Sequence, residues 1–300
     1  MCNCTLRLLR GKILGNRQYN EIEIRHRDAA RAFPSFWPAD HVFLRRLVHP
    51  VHAERTVTMA EEKPSRKIVV LISGSGTIPP ELQSAVTCSP TLGTNLQALI
   101  DALNTDALPN AHISLVLSNR KAAYGLTRAA SAQPPIPTAY LALQPFLKAN
   151  PGKTRADYDA EVARIVIREK PDLVMLAGWM HVLGEGFLEV VSGARPLDGE
   201  PAVQKPIKVI NLHPALPGAF DGAHAIERVY EAFQKGEIDK AGIMVHRVVR
   251  EVDCGEPLIV REVEIRKGEP IEVFEERLHR AEWEAIVEGA RKALDEVRPS

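Results

Sequence analysis

Apolar residues are arranged along this chain in two ways that alternate: short unbroken runs, and longer stripes with a helical period. Residues 67–72, 112–117, 172–178 and 209–212 are runs rich in Val, Ile and Leu. Runs of that length between turn residues predict strands buried on both faces. Amphipathic helices are predicted from Thr94 onward, over 124–130, and over 155–168, where Tyr158, Val162, Ile165 and Val166 share a stripe. A further short strand is predicted over 137–141. Fully apolar strands separated by helices imply a doubly wound α/β architecture with a parallel sheet. The last third of the chain differs. A helix over 225–234 is followed by 243–249, which alternates like a strand with one exposed face, then by a turn at 253–257 and a strand over 258–265. A long helix over 271–294 closes the chain, with Ile271, Phe274, Leu278, Ala281, Ala285 and Ala290 facing inward. Hairpin-like strands at this end predict an antiparallel portion added to a mostly parallel core.

The chain divides near residue 62. Up to residue 50 there are nine Lys/Arg against four Asp/Glu, and the first acid is Glu21. A basic, acid-poor start is a pattern of targeting sequences. This one turns rich in Phe, Trp, Pro and His without a helical period, and Met59 resembles a chain start. Residues 1–62 are therefore expected to be an irregular extension, disordered or non-native, and 63–298 the folded domain.

Composition narrows the function. An apolar fraction of 45% and a charged fraction of 25% are those of an ordinary globular protein. The formal net charge of +0 argues against nucleic acid or an anionic membrane as the main partner. No apolar run is long enough to span a bilayer. Cys2, Cys4, Cys88 and Cys254 show no zinc-site spacing, so no metal is expected. Free thiols suit a reducing compartment such as the cytoplasm.

Candidate chemistry sits at the predicted strand ends. Ser73-Gly74-Ser75-Gly76-Thr77 follows the first strand, and a glycine-rich turn there presents backbone N–H groups to an anion. It has neither the Lys of a P-loop nor the third glycine of a dinucleotide fingerprint. The helix that should follow begins only at Thr94-Asn95. Joining Gly76 to Thr94 would make a compact phosphate loop, so residues 77–93 read as an insertion, either a translated intron or a genuine surface loop. Asn211 and His213 alternate on the strand that Pro214 ends, so both side chains share one face at its carboxyl edge. Ligands bind at that edge in open α/β sheets. An amide can donate to an oxyanion and an imidazole can move a proton near neutral pH. A capped strand end with a satisfied histidine would look the same.

Several segments together decide between those readings. Ile-Ser-Gly-Ser-Gly followed by Thr94-Asn-Leu-Gln-Ala-Leu99, Leu117-Ser-Asn-Arg-Lys121, Leu176-Ala-Gly-Trp-Met180, Asn211-Leu-His-Pro-Ala-Leu-Pro217 and Val252-Asp253-Cys-Gly255 resemble the glycinamide ribonucleotide formyltransferases, the fungal monofunctional type most closely. The similarity covers about residues 66–295 once the insertion is set aside. It implies the formyltransferase fold, Rossmann-like and mostly parallel with an antiparallel C-terminal portion. It also implies transfer of a formyl group from the co-substrate 10-formyltetrahydrofolate to 5-phosphoribosylglycinamide in purine biosynthesis. By the same resemblance Asn211, His213 and Asp253 are catalytic, and Gly74, Ser75, Gly76, Thr94, Asn95 and Glu282 hold the phosphate and ribose. Met180, His181, Val182 and Leu183 wall the folate pocket, although some relatives carry Arg where His181 stands. Small molecules are the implied partners, for a monomer or homodimer. The alternatives are another formyltetrahydrofolate-dependent transferase or hydrolase, or an inactive nucleotide-binding relative. Retention of Asn211, His213 and Asp253 together weighs against the last.

Overall fold

A computed structural model describes residues 65–74 and 94–297. The extension over 1–62, the insertion over 77–93, and Ser75 and Gly76 lie outside the described residues. Among the described residues seven strands form one sheet: β1 (Arg66–Ile72), β2 (Ala111–Ser118), β3 (Thr138–Tyr140), β4 (Leu173–Leu176), β5 (Lys208–His213), β6 (Ala241–Arg247) and β7 (Pro257–Val263). Their order is β3-β2-β1-β4-β5-β6-β7. The pairs among the first five strands are parallel, and β5–β6 and β6–β7 are antiparallel. The mostly parallel sheet with an antiparallel C-terminal portion is as expected.

Among the described residues seven helices accompany the strands: α1 (Asn95–Ala102), α2 (Tyr124–Ser131), α3 (Leu143–Ala149), α4 (Arg155–Arg168), α5 (Glu185–Ser192), α6 (Ala225–Lys235) and α7 (Ile271–Val297). Residues of β1 alternate between two cores. Ile68, Val70 and Ile72 join α1, α6 and α7 on one face, while Val69 and Leu71 join α4 and α5 on the other. Helix α7 buries Phe274, Leu278, Ala285, Ile286, Ala290 and Leu294 against the first face. Burying one such side chain is worth about 1.5–3 kcal/mol, so this stripe anchors the helix. Helix α4 begins with a capping box, in which Thr154 and Asp157 satisfy each other's backbone N–H groups.

Three features differ from the sequence reading. Helices α3 and α5 were not expected. Helix α3 buries no residue, and α5 opens with Gly184 and Gly186, which read as loop. Gly186 is needed because a Cβ there would meet the Ala156 carbonyl oxygen at 2.5 Å, where α5 crosses α4. Strand β6 does not have one exposed face: its first six residues are all buried. Ile243 and Val245 lie in the core beside α7, while Met244 and His246 pair with His213 and Asn211 across β5.

Candidate active site

The polar centre is built from register. Asn211 and His213 lie two apart at the carboxyl end of β5, on one face. Antiparallel pairing sets His246 of β6 opposite Asn211, and directly opposed residues share a face. Asp253 reaches the same spot from the turn between β6 and β7. Gly255 permits that turn, because a Cβ there would fall 1.7 Å from the carbonyl oxygen of Arg247. Asp253 itself sits at φ +55°, in the left-handed region that Asp tolerates better than most residues.

Three side chains converge on the Asp253 carboxylate. Asn211 Nδ2 donates to Oδ1 at 3.2 Å and also lies 3.2 Å from His246 Nε2. His246 Nε2 is 3.3 Å from Oδ1, and His213 Nδ1 is 3.3 Å from Oδ2. The backbone N–H of Gly222 donates to Oδ2 at 2.9 Å. His246 Nδ1 lies 2.8 Å from the Arg247 carbonyl, and His213 Nε2 lies 3.2 Å from the Phe220 carbonyl. The His213, His246 and Asp253 side chains are 4%, 2% and 9% exposed, so these bonds are made in a medium of low polarity.

Burial and charge compete at both titrating groups. Burial lowers the pKa of His213 below the usual imidazole value, and the Asp253 charge only partly offsets this. His213 is therefore neutral at pH 7. Burial also opposes ionisation of Asp253. The bonds from His246 and the Gly222 N–H, with the charges of both histidines, outweigh it and hold the carboxyl below the ordinary Asp range.

A cleft of about 460 Å³ opens beside this centre. Its walls are the loop after β4 (residues 178–183), the β6–β7 loop (248–253), residues 222–227, and Glu282 of α7. Met180, Val182, Val249 and Val252 are exposed at 63%, 47%, 40% and 39%, which makes two opposed apolar lips. Leu183 is buried, and the His181 ring is engaged with Asp159 of α4 at 2.7 Å. A second hollow of about 450 Å³, floored by Leu188, Ile207 and Val209, adjoins the cleft through Val248, Val249 and Arg250. Glu282 is 5% exposed, and His279 Nδ1 lies 2.9 Å from its Oε2. That bond raises the pKa of His279 despite its partial burial.

The glycine-rich turn begins at the carboxyl end of β1. The Ser73 N–H donates to the Gly178 carbonyl at 3.0 Å, and the Met180 N–H donates to Ser73 Oγ at 2.7 Å. The β1 and β4 loops are thereby joined, and Gly74 is exposed next to them. Thr94 is the N-cap of α1, its side chain accepting the Gln97 N–H at 3.2 Å.

This arrangement has counterparts among known proteins. The formyl transferase family profile matches residues 82–289. The chain belongs to that family. It is 44% identical over 229 residues to the phosphoribosylglycinamide formyltransferase of Schizosaccharomyces pombe, covering 76% of this chain and 96% of that protein. Identity to the Saccharomyces cerevisiae protein of the same name is 41% over 242 residues, covering 77% and 98%. The fold is similar to the crystal structure of glycinamide ribonucleotide transformylase 1 from Geobacillus kaustophilus, with a TM-score of 0.57 and 29% identity, over 76% of this chain and 97% of that one.

Within this formyl transferase, Asn211, His213 and Asp253 come together as one constellation, with Glu282 and residues 180–183 around the same cleft. Gly74, Thr94 and Asn95 lie at the ends of β1 and α1 rather than among the cleft-lining residues. The sequence reading missed His246, Ser73 and Asp159. A histidine inside the apolar strand 243–249 was the available signal for His246, but only the β5–β6 register shows what it faces.

Proposed function

We propose that the protein transfers the formyl group of 10-formyltetrahydrofolate to the amine of 5-phosphoribosylglycinamide, in the cytoplasm, as part of purine biosynthesis. The observation that carries this reading is the buried Asp253 carboxylate, held by Asn211, His213 and His246 at the carboxyl edge of β5. It stands in a chain 44% identical to an enzyme of that name. The apolar lips at Met180, Val182, Val249 and Val252 suit the flat rings of a folate. His181 and Leu183 complete that wall. The phosphate is assigned to the backbone of Gly74, Ser75 and Gly76 with Thr94 and Asn95 at the helix terminus, and Glu282 accepts a ribose hydroxyl.

The chemistry follows from the charges. The neutral amine nitrogen attacks the formyl carbon, whose oxygen becomes negative while the nitrogen becomes positive. Asn211 exchanges its 3.2 Å contact with His246 for a charge-assisted bond to that oxygen. Neutral His213 takes a proton from the cationic nitrogen and returns it to N10 of the folate as the C–N10 bond breaks. Asp253 stabilises the imidazolium between those two steps. No covalent enzyme intermediate and no metal is required, and the subunits act alone or as a homodimer.

The decisive test is a formyl-transfer assay on the full chain with both substrates. Product formation that depends on the phosphorylated amine supports the reading. Formate release independent of that amine would point to a hydrolase instead.

A further inference from the structure

Asp159 lies inside α4, away from either helix end, and is 2% exposed. A carboxylate in that setting is costly unless its oxygens are satisfied. Its partners both belong to the loop that walls the cleft. Oδ1 lies 2.7 Å from His181 Nε2, and Oδ2 accepts the Gly184 N–H at 3.0 Å. One turn earlier on α4, Arg155 Nη2 donates to the Val182 carbonyl at 2.7 Å. The His181 side chain is 11% exposed and sits edge-on between Tyr158 and Trp179, with ring centroids at 5.0 and 6.2 Å. The approach leaves no slack: a Cβ on Gly184 would come within 2.9 Å of Asp159 Oδ2.

Helix α4 therefore draws the polar groups of residues 181–184 inward. What remains facing the cleft is apolar, chiefly Met180 and Val182. We infer that Asp159 is a positioning residue for the formyl donor: through His181 and the Gly184 N–H it sets the height and tilt of the 180–184 wall. His181 acts on the donor mainly through this carboxylate, since only an 11% exposed ring edge reaches the cleft wall. The inference rests on the cleft being the donor site, and it assigns affinity for one substrate to a helix that does not itself line the cleft.

Substitution in the full-length protein tests it. Asp159→Asn keeps one acceptor oxygen but turns an N–H toward one of its two donors, and loss of one such buried bond corresponds to about a tenfold weakening. The Michaelis constant for 10-formyltetrahydrofolate should rise by about that factor, while that for 5-phosphoribosylglycinamide and kcat change less than about twofold. His181→Gln, whose amide can still donate to Asp159, should lose much less donor affinity than His181→Ala. Equal losses in the Gln and Ala variants would mean direct contact with the donor and overturn the inference. So would a folded Asp159→Asn enzyme with unchanged donor affinity, or one whose two Michaelis constants rise together. An unmodified enzyme with no folate-dependent activity would instead defeat the reading of the cleft itself.

Discussion

At the residue scale, the site is one buried carboxylate with four donors or donor-capable rings around it. The proposed role in stabilising charge during reaction implies that single substitutions are severe. His213→Ala or Asp253→Asn should lower kcat by about 10²–10⁴-fold, the usual contribution of a positioned acid–base group. Circular dichroism should show both variants folded, and near-normal turnover in either would end the proposed role. The pKa shift of His213 has a definite sign. Burial favours the neutral ring, so protonation is delayed to a pH below 6.5. Asp253 works in the opposite direction. Removing its charge in Asp253→Asn should therefore lower the His213 pKa further, and NMR titration of the imidazole Cε1–H reads both values. A His213 pKa above 6.5 in the unmodified protein would contradict the neutral resting state.

At the element scale, the turn between β6 and β7 is the vulnerable piece. It holds Asp253 at positive φ and passes Gly255 against the Arg247 carbonyl, while the Arg247 N–H donates to Glu256 at 3.0 Å. A methyl group at 255 has nowhere to go, since its obstacle is backbone. Gly255→Ala should cost about 3 kcal/mol of stability in urea unfolding, within the range for forced overpacking. It should also reduce kcat by displacing Asp253. Unchanged stability would show that the turn can open without moving the carboxylate. The loop over 218–224 is similarly constrained, with Gly218, Phe220, Gly222 and His224 all at positive φ. Arg228 Nη2 donates to the Phe220 and Asp221 carbonyls at 2.6 Å each, which holds that loop over His213.

At the scale of the whole molecule, the parallel strands bring three loops to one edge of the sheet, and the antiparallel strands add the fourth wall. The insertion over 77–93 falls between Gly76 and Thr94 in sequence, inside the motif assigned to the phosphate. Its removal should lower the Michaelis constant for 5-phosphoribosylglycinamide with little change for the folate, because joining Gly76 to Thr94 would make the compact phosphate loop expected from the sequence. A rise in that constant, or an inactive protein, would mean the segment contributes to binding. The order of elements, the parallel core and the long closing helix were legible in the sequence, because apolar period and run length are local properties. So was the Asn211 and His213 pair, through the Asn-x-His-Pro strand end, whereas Asp253 stood out only through the family resemblance. Helix α5 was not legible, since its glycines look like loop until α4 is seen to press against them. Neither was His246, which enters the site only because β6 runs antiparallel to β5 in a register that places it opposite Asn211. The sequence by itself determined which chemical groups stand at the strand ends. Only the tertiary structure decided which of them share a carboxylate, because strand register, close backbone approach and burial depend on residues far apart in the chain.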